Sequence, residues 1–467
     1  MTALRPYQLA LVERLRAAFR AGKRAPLLQL ATGGGKTYCF CFIARSAVER
    51  GNRVCILVHR QELLSQTSRA LGSLGVVHGI IAPGHAATDD PVQVASVQTI
   101  IRRIEKGEAR ATDFSLIVID EAHHAIAGSW RKVIAAMPKA KLLGVTATPC
   151  RMDGKGLIAV FDELVAGPPI TELVEMGFLV PAKVFAPPVI ADFKGVRTTG
   201  GDYRASDLAE AMDNPTITGN AVEHYRRICP GVPAIAFCAS IEHSKHVAAE
   251  FSAAGFRAAS IDGHMPDIER KALIQALGDG QIQVLTSCDI VSEGTDIPVV
   301  GAAILLRPTK SESLFLQQVG RALRTSPGKE FAIVLDHAGN VLRHGMPDEA
   351  REWNLADGVV KRKRDAALGP AVAQCPKCYA MHRPTPMCPS CGFVYKIQAR
   401  EIEIVHGNLT EIDAAAATAM RDQRREQGKA QTIDDLVRVG KARGMKNPFG
   451  WARHVMKARE SREAAYG

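Results

Sequence analysis

Seven residues near the N-terminus, Ala31-Thr32-Gly33-Gly34-Gly35-Lys36-Thr37, have the make-up of a polyphosphate cradle. The apolar run 26–30 ahead of them reads as a buried strand, and 37–49 behind them reads as a helix that Gly51-Asn52 closes. Glycines let the backbone curl until its N–H groups face phosphate oxygens, beside the positive end of a helix dipole. Lys36 would set an ammonium against the β- and γ-phosphates, and Thr37 would offer its hydroxyl to Mg²⁺. The strict phosphate-loop pattern asks for glycine at position 30, where this chain has Leu30. A glycine-rich strand-to-helix turn with no ligand is the bland alternative.

A second constellation follows the apolar run 114–119, which ends in Asp120-Glu121-Ala122-His123. A carboxylate at the end of a strand beside a phosphate loop can complete a Mg²⁺ shell, and the next one can orient an attacking water. Adjacent acids also favour a helix N-terminus without any chemistry. Far downstream, Gln317-Gln318-Val319-Gly320-Arg321-Ala322-Leu323-Arg324 puts two arginines three apart on a helical face, where both can reach one phosphate cluster. Ahead of the glycines, Arg5 and Gln8 can address an adenine edge, because an amide presents both donor and acceptor. Near the C-terminus, Cys375-Pro-Lys-Cys378 and Cys388-Pro-Ser-Cys391 form two C-x-x-C knuckles separated by nine residues. Four thiolates satisfy tetrahedral Zn²⁺, and with no open position the site would be structural. An iron–sulfur cluster is the rival occupant.

The elements that must position these residues alternate strand and helix twice, which predicts an α/β chain with two parallel-sheet lobes. At 467 residues there is core for two to four domains, and no apolar run approaches the length of a membrane span. The opening residues lack a signal-peptide core, so a cytoplasmic protein with no membrane contact is expected. The seven other cysteines are scattered and read as buried thiols of a reducing compartment. Charge is uneven: residues 361–467 carry 20 Lys/Arg against 11 Asp/Glu, a net +9 of the chain's +11. A near-neutral body with a basic end points to a polyanionic partner. Trp451, among Lys446, Arg453 and Lys457, would stack a base or pack a small helical unit.

Together these stretches resemble the superfamily 2 helicases. Residues 31–37 resemble motif I, 120–123 a DEAH-type motif II, Thr146-Ala147-Thr148 motif III, Ser292–Pro298 motif V and Gln317–Arg324 motif VI. Arg5–Gln8 resembles the Q motif, His59–Gln66 motif Ia, and Ser96–Thr99 the strand-contact motif after it. The resemblance covers about 1–345 and implies two RecA-like lobes, parallel sheets with helices on both faces, that hold ATP and Mg²⁺ between them. It further implies that Thr32, Gly33, Gly34, Gly35, Gly294 and Asp296 join the nucleotide site. Gln317 would support the water held by Glu121, and Arg321 and Arg324 would reach the γ-phosphate. His123, Thr146 and Thr148 would couple hydrolysis to movement, and Arg60, Ser96, Thr99, Ser240 and Thr286 would contact the nucleic-acid backbone. Asp153-Gly154, Leu335–Asn340 and the cysteine knuckle add a resemblance to the bacterial and phage RadD family of DNA-repair ATPases.

The expected organisation is an ATP-binding lobe at 1–165, a linker and accessory insertion at 166–215, and a second lobe at 216–345. A basic linker at 346–370, a zinc knuckle at 371–398 and a small, mostly helical basic tail at 399–467 follow. The expected activity is an ATP-dependent DNA helicase or translocase, moving on or remodelling DNA in repair or recombination, on single-stranded or forked DNA, in a bacterial cell or a phage-infected one. Single-stranded-DNA-binding protein is the partner that RadD resemblance implies. An RNA helicase, a zinc-bearing adaptor switched by ATP, and the motor subunit of a restriction enzyme are the alternatives.

Overall fold

A computed structural model describes residues 4–125, 127–150, 156–186, 196–199, 202–204, 207–208, 212, 215–288, 297–356, 372–395, 426, 430, 432–445 and 447–456. The chain divides into two units, 1–396 and 397–467.

In chain order, β1 (Pro26–Gln29), β2 (Val54–Val58), β3 (His78–Ile81), β4 (Val92–Ser96), β5 (Leu116–Asp120), β6 (Lys141–Thr146) and β7 (Glu163–Ala166) build the first sheet. Its spatial order is β3-β4-β2-β5-β6-β1-β7, and the pairs are parallel. Parallel strands need covering on both faces, which is why they read as unbroken apolar runs. Successive residues duly enter different cores. Leu28, Ile56, Val94 and Val118 pack on one face, and Leu27, Leu57, Ala95 and Ile117 on the other.

The second sheet gathers β8 (Ala182–Phe185), β11 (Ala234–Phe237), β12 (Ala258–Ile261), β13 (Val284–Ser287), β14 (Ala302–Leu305) and β15 (Ala332–Asp336) in the parallel order β12-β13-β11-β14-β15-β8. Two short strands, β17 (Ala380–His382) and β16 (Ala373–Gln374), extend it antiparallel from β8.

These pairings move the expected boundaries. β8 lies inside the stretch expected to be linker, yet it is a full member of the second sheet. Its four residues are too short a run to stand out beside Pro181, Pro187 and Pro188. Proline at 181 does no harm there, because its carbonyl accepts from Ala332 N at 2.8 Å and the strand begins one residue later. From the accessory insertion, β9 (Thr198–Thr199) and β10 (Asp202–Tyr203) make a hairpin docked on the second lobe. Asp202 accepts there from Thr309 Oγ1 and Lys310 N, each at 2.7 Å.

In the second unit, the helix Ile433–Ala442 starts with a capping box between Thr432 and Asp435. Trp451 packs with Leu436 and Val439, close over Gly440 and under the Arg443 guanidinium, so it serves the small helical core. The Ala-rich stretch 414–425 lies outside the described residues. Among the described residues no helix is long and apolar enough to cross a membrane.

Candidate active site

Parallel strands send their carboxyl ends to one edge, and loops leaving that edge carry the chemistry. β1 delivers the glycines. Gly33 and Gly35 have φ of +85° and +84°, the left-handed region that side chains avoid, and Gly35 caps the helix Lys36–Val48. Leu30, the departure from the strict pattern, is fully buried, and its side chain fills the space beneath Gly34. Tyr7 Oη donates to the Gly34 carbonyl at 2.7 Å, and Gln8 Nε2 donates to the same oxygen at 3.1 Å. The Gln8 carbonyl accepts from Arg5 N at 2.9 Å. Gln8 therefore grips the phosphate loop, and the Arg5 guanidinium stacks over Phe178 at 4.4 Å.

β5 ends in Asp120, which is buried. Burial and the adjacent Glu121 carboxylate push its pKa up to about 7 against the pull of Lys36. Glu121 sits at φ 49°, a conformation costly for any residue with a Cβ, and its N–H donates to Asp120 Oδ1 at 3.0 Å. His123 Nδ1 lies 3.5 Å from Glu121 Oε2 and 3.4 Å from Thr146 Oγ1. The Thr146 hydroxyl donates to the Thr148 carbonyl at 3.0 Å and accepts from Thr148 N at 3.2 Å. Polar contacts thus run from the motif II acid to the end of β6.

The helix Glu312–Ala322 closes the other side of the cleft. A Cβ on Gly320 would lie 2.5 Å from Thr32 Cβ, and one on Gly33 would lie 3.4 Å from Arg324 Cγ and 2.9 Å from Leu179 Cδ2. Motif VI therefore lies directly on the phosphate loop. Burial lowers the pKa of Lys36, the Glu121 and Asp120 carboxylates oppose that, and the Arg321 and Arg324 guanidinium groups reinforce it. One ammonium thus feels two acids from the first lobe and two guanidinium groups from the second. Glu121 Oε2 and Gln317 Nε2 are both buried with no hydrogen-bond partner. Such atoms cost about 1–3 kcal/mol each unless a ligand satisfies them. One from each lobe suits a triphosphate and its attacking water.

The remaining expected residues fall into three groups. Gly294 and Asp296 lie outside the described residues. Ser96 and Ser240 cap helices, accepting from Thr99 N at 3.3 Å and His243 N at 3.0 Å, while Arg60 precedes the helix Gln61–Ser73 and donates to His59 Nε2. Ser96 also donates to Thr99 Oγ1 at 3.0 Å. Thr286 differs from expectation. It is fully buried, its hydroxyl donates to the Ser244 carbonyl at 2.7 Å and accepts from Ser244 Oγ at 2.9 Å, so its side chain belongs to the helix-sheet interior. Sequence reasoning missed Tyr7 as a phosphate-loop anchor, although it sits within the quoted Arg5–Gln8 stretch.

Comparison with known proteins settles the family. Residues 1–151 match the family described as "Type III restriction enzyme, res subunit", and 221–326 match "Helicase conserved C-terminal domain". A 51.5 kDa protein of a Lactococcus phage is 33% identical over 376 residues, covering 80% of this chain and 79% of its own. A Saccharomyces cerevisiae protein named as the ATP-dependent helicase IRC3 is 31% identical over 336 residues, covering 68% of this chain and 48% of its own. The chain belongs to the superfamily 2 helicases. It is thus a nucleic-acid-dependent ATPase with two RecA-like lobes, and it spans about half the length of its two yeast relatives. In fold, the helicase resembles a fragment of an HsdR subunit of a type I restriction enzyme from Vibrio vulnificus, with TM-score 0.60, 20% identity, and coverage of 74% of this chain and 67% of that one. It also resembles the DNA-bound Type ISP restriction-modification enzyme LlaBIII, with TM-score 0.54 and 20% identity, over 71% of this chain and 27% of that one.

The helicase's four clustered cysteines form a separate centre. Cys375 and Cys391 Sγ lie 3.6 Å apart, Cys378 and Cys388 Sγ 3.7 Å, and the four lie within 4.8 Å of one another. A tetrahedral ion with bonds of about 2.3 Å spaces its sulfurs by about 3.8 Å, whereas a disulfide brings two to about 2 Å. The sulfurs therefore fit one zinc ion and sit closer together than ligands spread around a multi-iron cluster. The knuckles match each other in backbone. Tyr379 and Gly392 take φ of 60° and 70°, and their N–H groups donate to the carbonyls of Cys375 and Cys388 at 2.9 and 3.0 Å. Gln374 Nε2 donates to the Ala186 carbonyl at 2.6 Å, which fastens the knuckle beside β8.

Proposed function

We propose that this helicase is a DNA-stimulated ATPase that translocates on or remodels DNA, acting in repair or recombination. The observation that carries the reading is the seam where Arg321, Arg324 and Gln317 meet Lys36, Asp120 and Glu121. In this reading the Gly33–Gly35 backbone and Lys36 bind the phosphates, and Thr37 and Asp120 hold Mg²⁺. When bound, that ion neutralises charge on the β- and γ-phosphates. Glu121 orients the attacking water with Gln317, and the two arginines stabilise charge on the transferring group. Arginine fingers of this kind contribute about 10³–10⁵ in rate. Hydrolysis then requires the seam to be closed, which lets nucleic acid control it by favouring closure.

The choice of DNA rests on the DNA-bound restriction enzyme of like fold, the basic C-terminal stretch and the resemblance to repair ATPases. A phage relative accords with work in the bacterial cytoplasm. Zinc at Cys375, Cys378, Cys388 and Cys391 holds the knuckle together and performs no chemistry. ATP turnover should be measured with matched single-stranded DNA, duplex, forked DNA and RNA at two salt concentrations, since phosphate contacts are salt-sensitive. Single-stranded or forked DNA should stimulate most. RNA stimulating as strongly as matched DNA would overturn the reading.

A further inference from the structure

Along the helix Glu312–Ala322, residues 313, 317 and 320 recur at helical spacing and share one stripe, and Arg324 follows just past its end in an extended bridge to Leu179. Two of these residues meet the phosphate loop: Gly320 lies on Thr32 and the Arg324 stem beside Gly33. Gln317 is buried between them and Ser313. Ser313 heads the stripe, lies outside every sequence motif named above, and is buried with its hydroxyl hydrogen-bonded to Thr148 Oγ1. Thr148 is also fully buried, and it ends the polar chain that runs from His123 through Thr146.

The turn that carries Ser313 is held a second time. Glu312 Oε1 pairs with Arg351 Nε at 2.6 Å, and the Arg351 guanidinium donates to the carbonyls of His344, Met346, Pro347 and Glu349. Four residues on, the Leu355 carbonyl accepts from Leu157 N and Ile158 N of the first lobe, both at 2.9 Å. The start of the arginine helix is therefore tied to the first lobe directly through Ser313 and indirectly through this strap.

We propose that Ser313 is a positioning residue for ATP hydrolysis, linking motif III to the arginine helix so that closure of the lobes sets Arg321 and Arg324 in place. Gly320 against Thr32 acts as the fulcrum. At 1.5 Å per residue Ser313 lies about 10 Å to one side of it along the helix, and on the other side the chain leaves the helix after Ala322 to carry Arg324. A slip at Ser313 thus reaches Arg321 and the segment that carries Arg324 as a fraction of an ångström. Misplacement by about 1 Å costs about 10²-fold in rate, so this slip should cost about 10-fold. The cost falls on the closed state alone.

The test measures ATP turnover of the full chain with and without whichever nucleic acid stimulates it most. Ser313→Ala should lower the basal and the stimulated kcat alike by about 10-fold, because both pass through the closed seam, while the KM for ATP stays within twofold and the melting temperature falls by only a few degrees. Ser313→Thr, which keeps the hydroxyl, should keep the stimulated rate. In a double-mutant cycle with the isosteric Thr148→Val, the two losses should not multiply. A stimulated rate within twofold of wild type, a rise in the KM for ATP as large as the fall in kcat, or fully multiplicative losses would each overturn the proposal.

Discussion

Replacing Gly320 by alanine adds a single methyl group at a place where the two lobes touch. The new carbon would lie 2.5 Å from Thr32 Cβ and 2.8 Å from its Cγ2. Carbon atoms settle at about 3.5–4.0 Å, so the seam must open by about 1 Å. Neither side yields readily, because one is helix backbone and the other a β-branched residue at the mouth of the phosphate loop. Folding should lose at most about 2 kcal/mol. Overpacking costs about 1–3 kcal/mol, and alanine returns about 1 kcal/mol over glycine inside a helix. Catalysis should register it strongly, since a 1 Å error between arginines and phosphate costs about 10²-fold, or about 2.7 kcal/mol of barrier. The assay is steady-state ATP turnover with saturating nucleic acid, paired with a melting curve. Gly278→Ala is the control, because that glycine ends the helix Asp267–Gly278 with nothing within 4 Å of its added carbon. A Gly320→Ala enzyme within threefold of wild type would refute the claim that hydrolysis is assembled at this seam.

Two further outcomes follow from groups away from the cleft. Burial, with His224 beside it, pushes the pKa of His337 down to about 3, and burial raises Asp336 to about 6 despite four backbone N–H groups that oppose the rise. Below pH 6.5 the unfolded chain takes a proton that folded His337 refuses, so acidification destabilises the fold through this residue down to about pH 3. Asp336 works in the opposite direction between about 6 and 3.8, where the folded chain binds the extra proton. Denaturant titrations of His337→Gln and wild type should therefore diverge in the variant's favour by about 1.5–2 kcal/mol between pH 6.5 and 5; parallel curves would show that His337 is not held neutral. For the cysteine centre, elemental analysis should find one zinc per chain. Its removal by a chelator should raise hydrogen exchange at β8, whose outer edge β17 covers; bound iron, or a protected β8 after chelation, would contradict the assignment.

What could be read from the sequence was the chemistry that lives within a few residues. The three glycines before Lys36, the two acids after an apolar run, and the C-x-x-C pairs each predict a local backbone shape by spacing alone, and the structure forms those turns. What could not be read is pairing across long stretches of chain. β8 joins β15 from 150 residues away. Arg351 reaches Glu312 and Thr148 reaches Ser313 with nothing periodic to link them. Thr286 shows the same blindness in reverse. A hydroxyl at a strand end looks available for a phosphate, but Ser244, 42 residues earlier in the chain, has already taken it.

The same division explains why the arginine helix matters more than its motif. Its spacing fixes which residues share a face, but only the tertiary contacts fix what that face meets, and here it meets the first lobe at both ends. A helix held at Thr148 and Thr32, with Arg324 beside Gly33 just past its end, cannot shift at one point without rotating about another. Closure of the lobes is therefore read by the whole helix at once, and the arginines, at the far end from Ser313, report it to the phosphates.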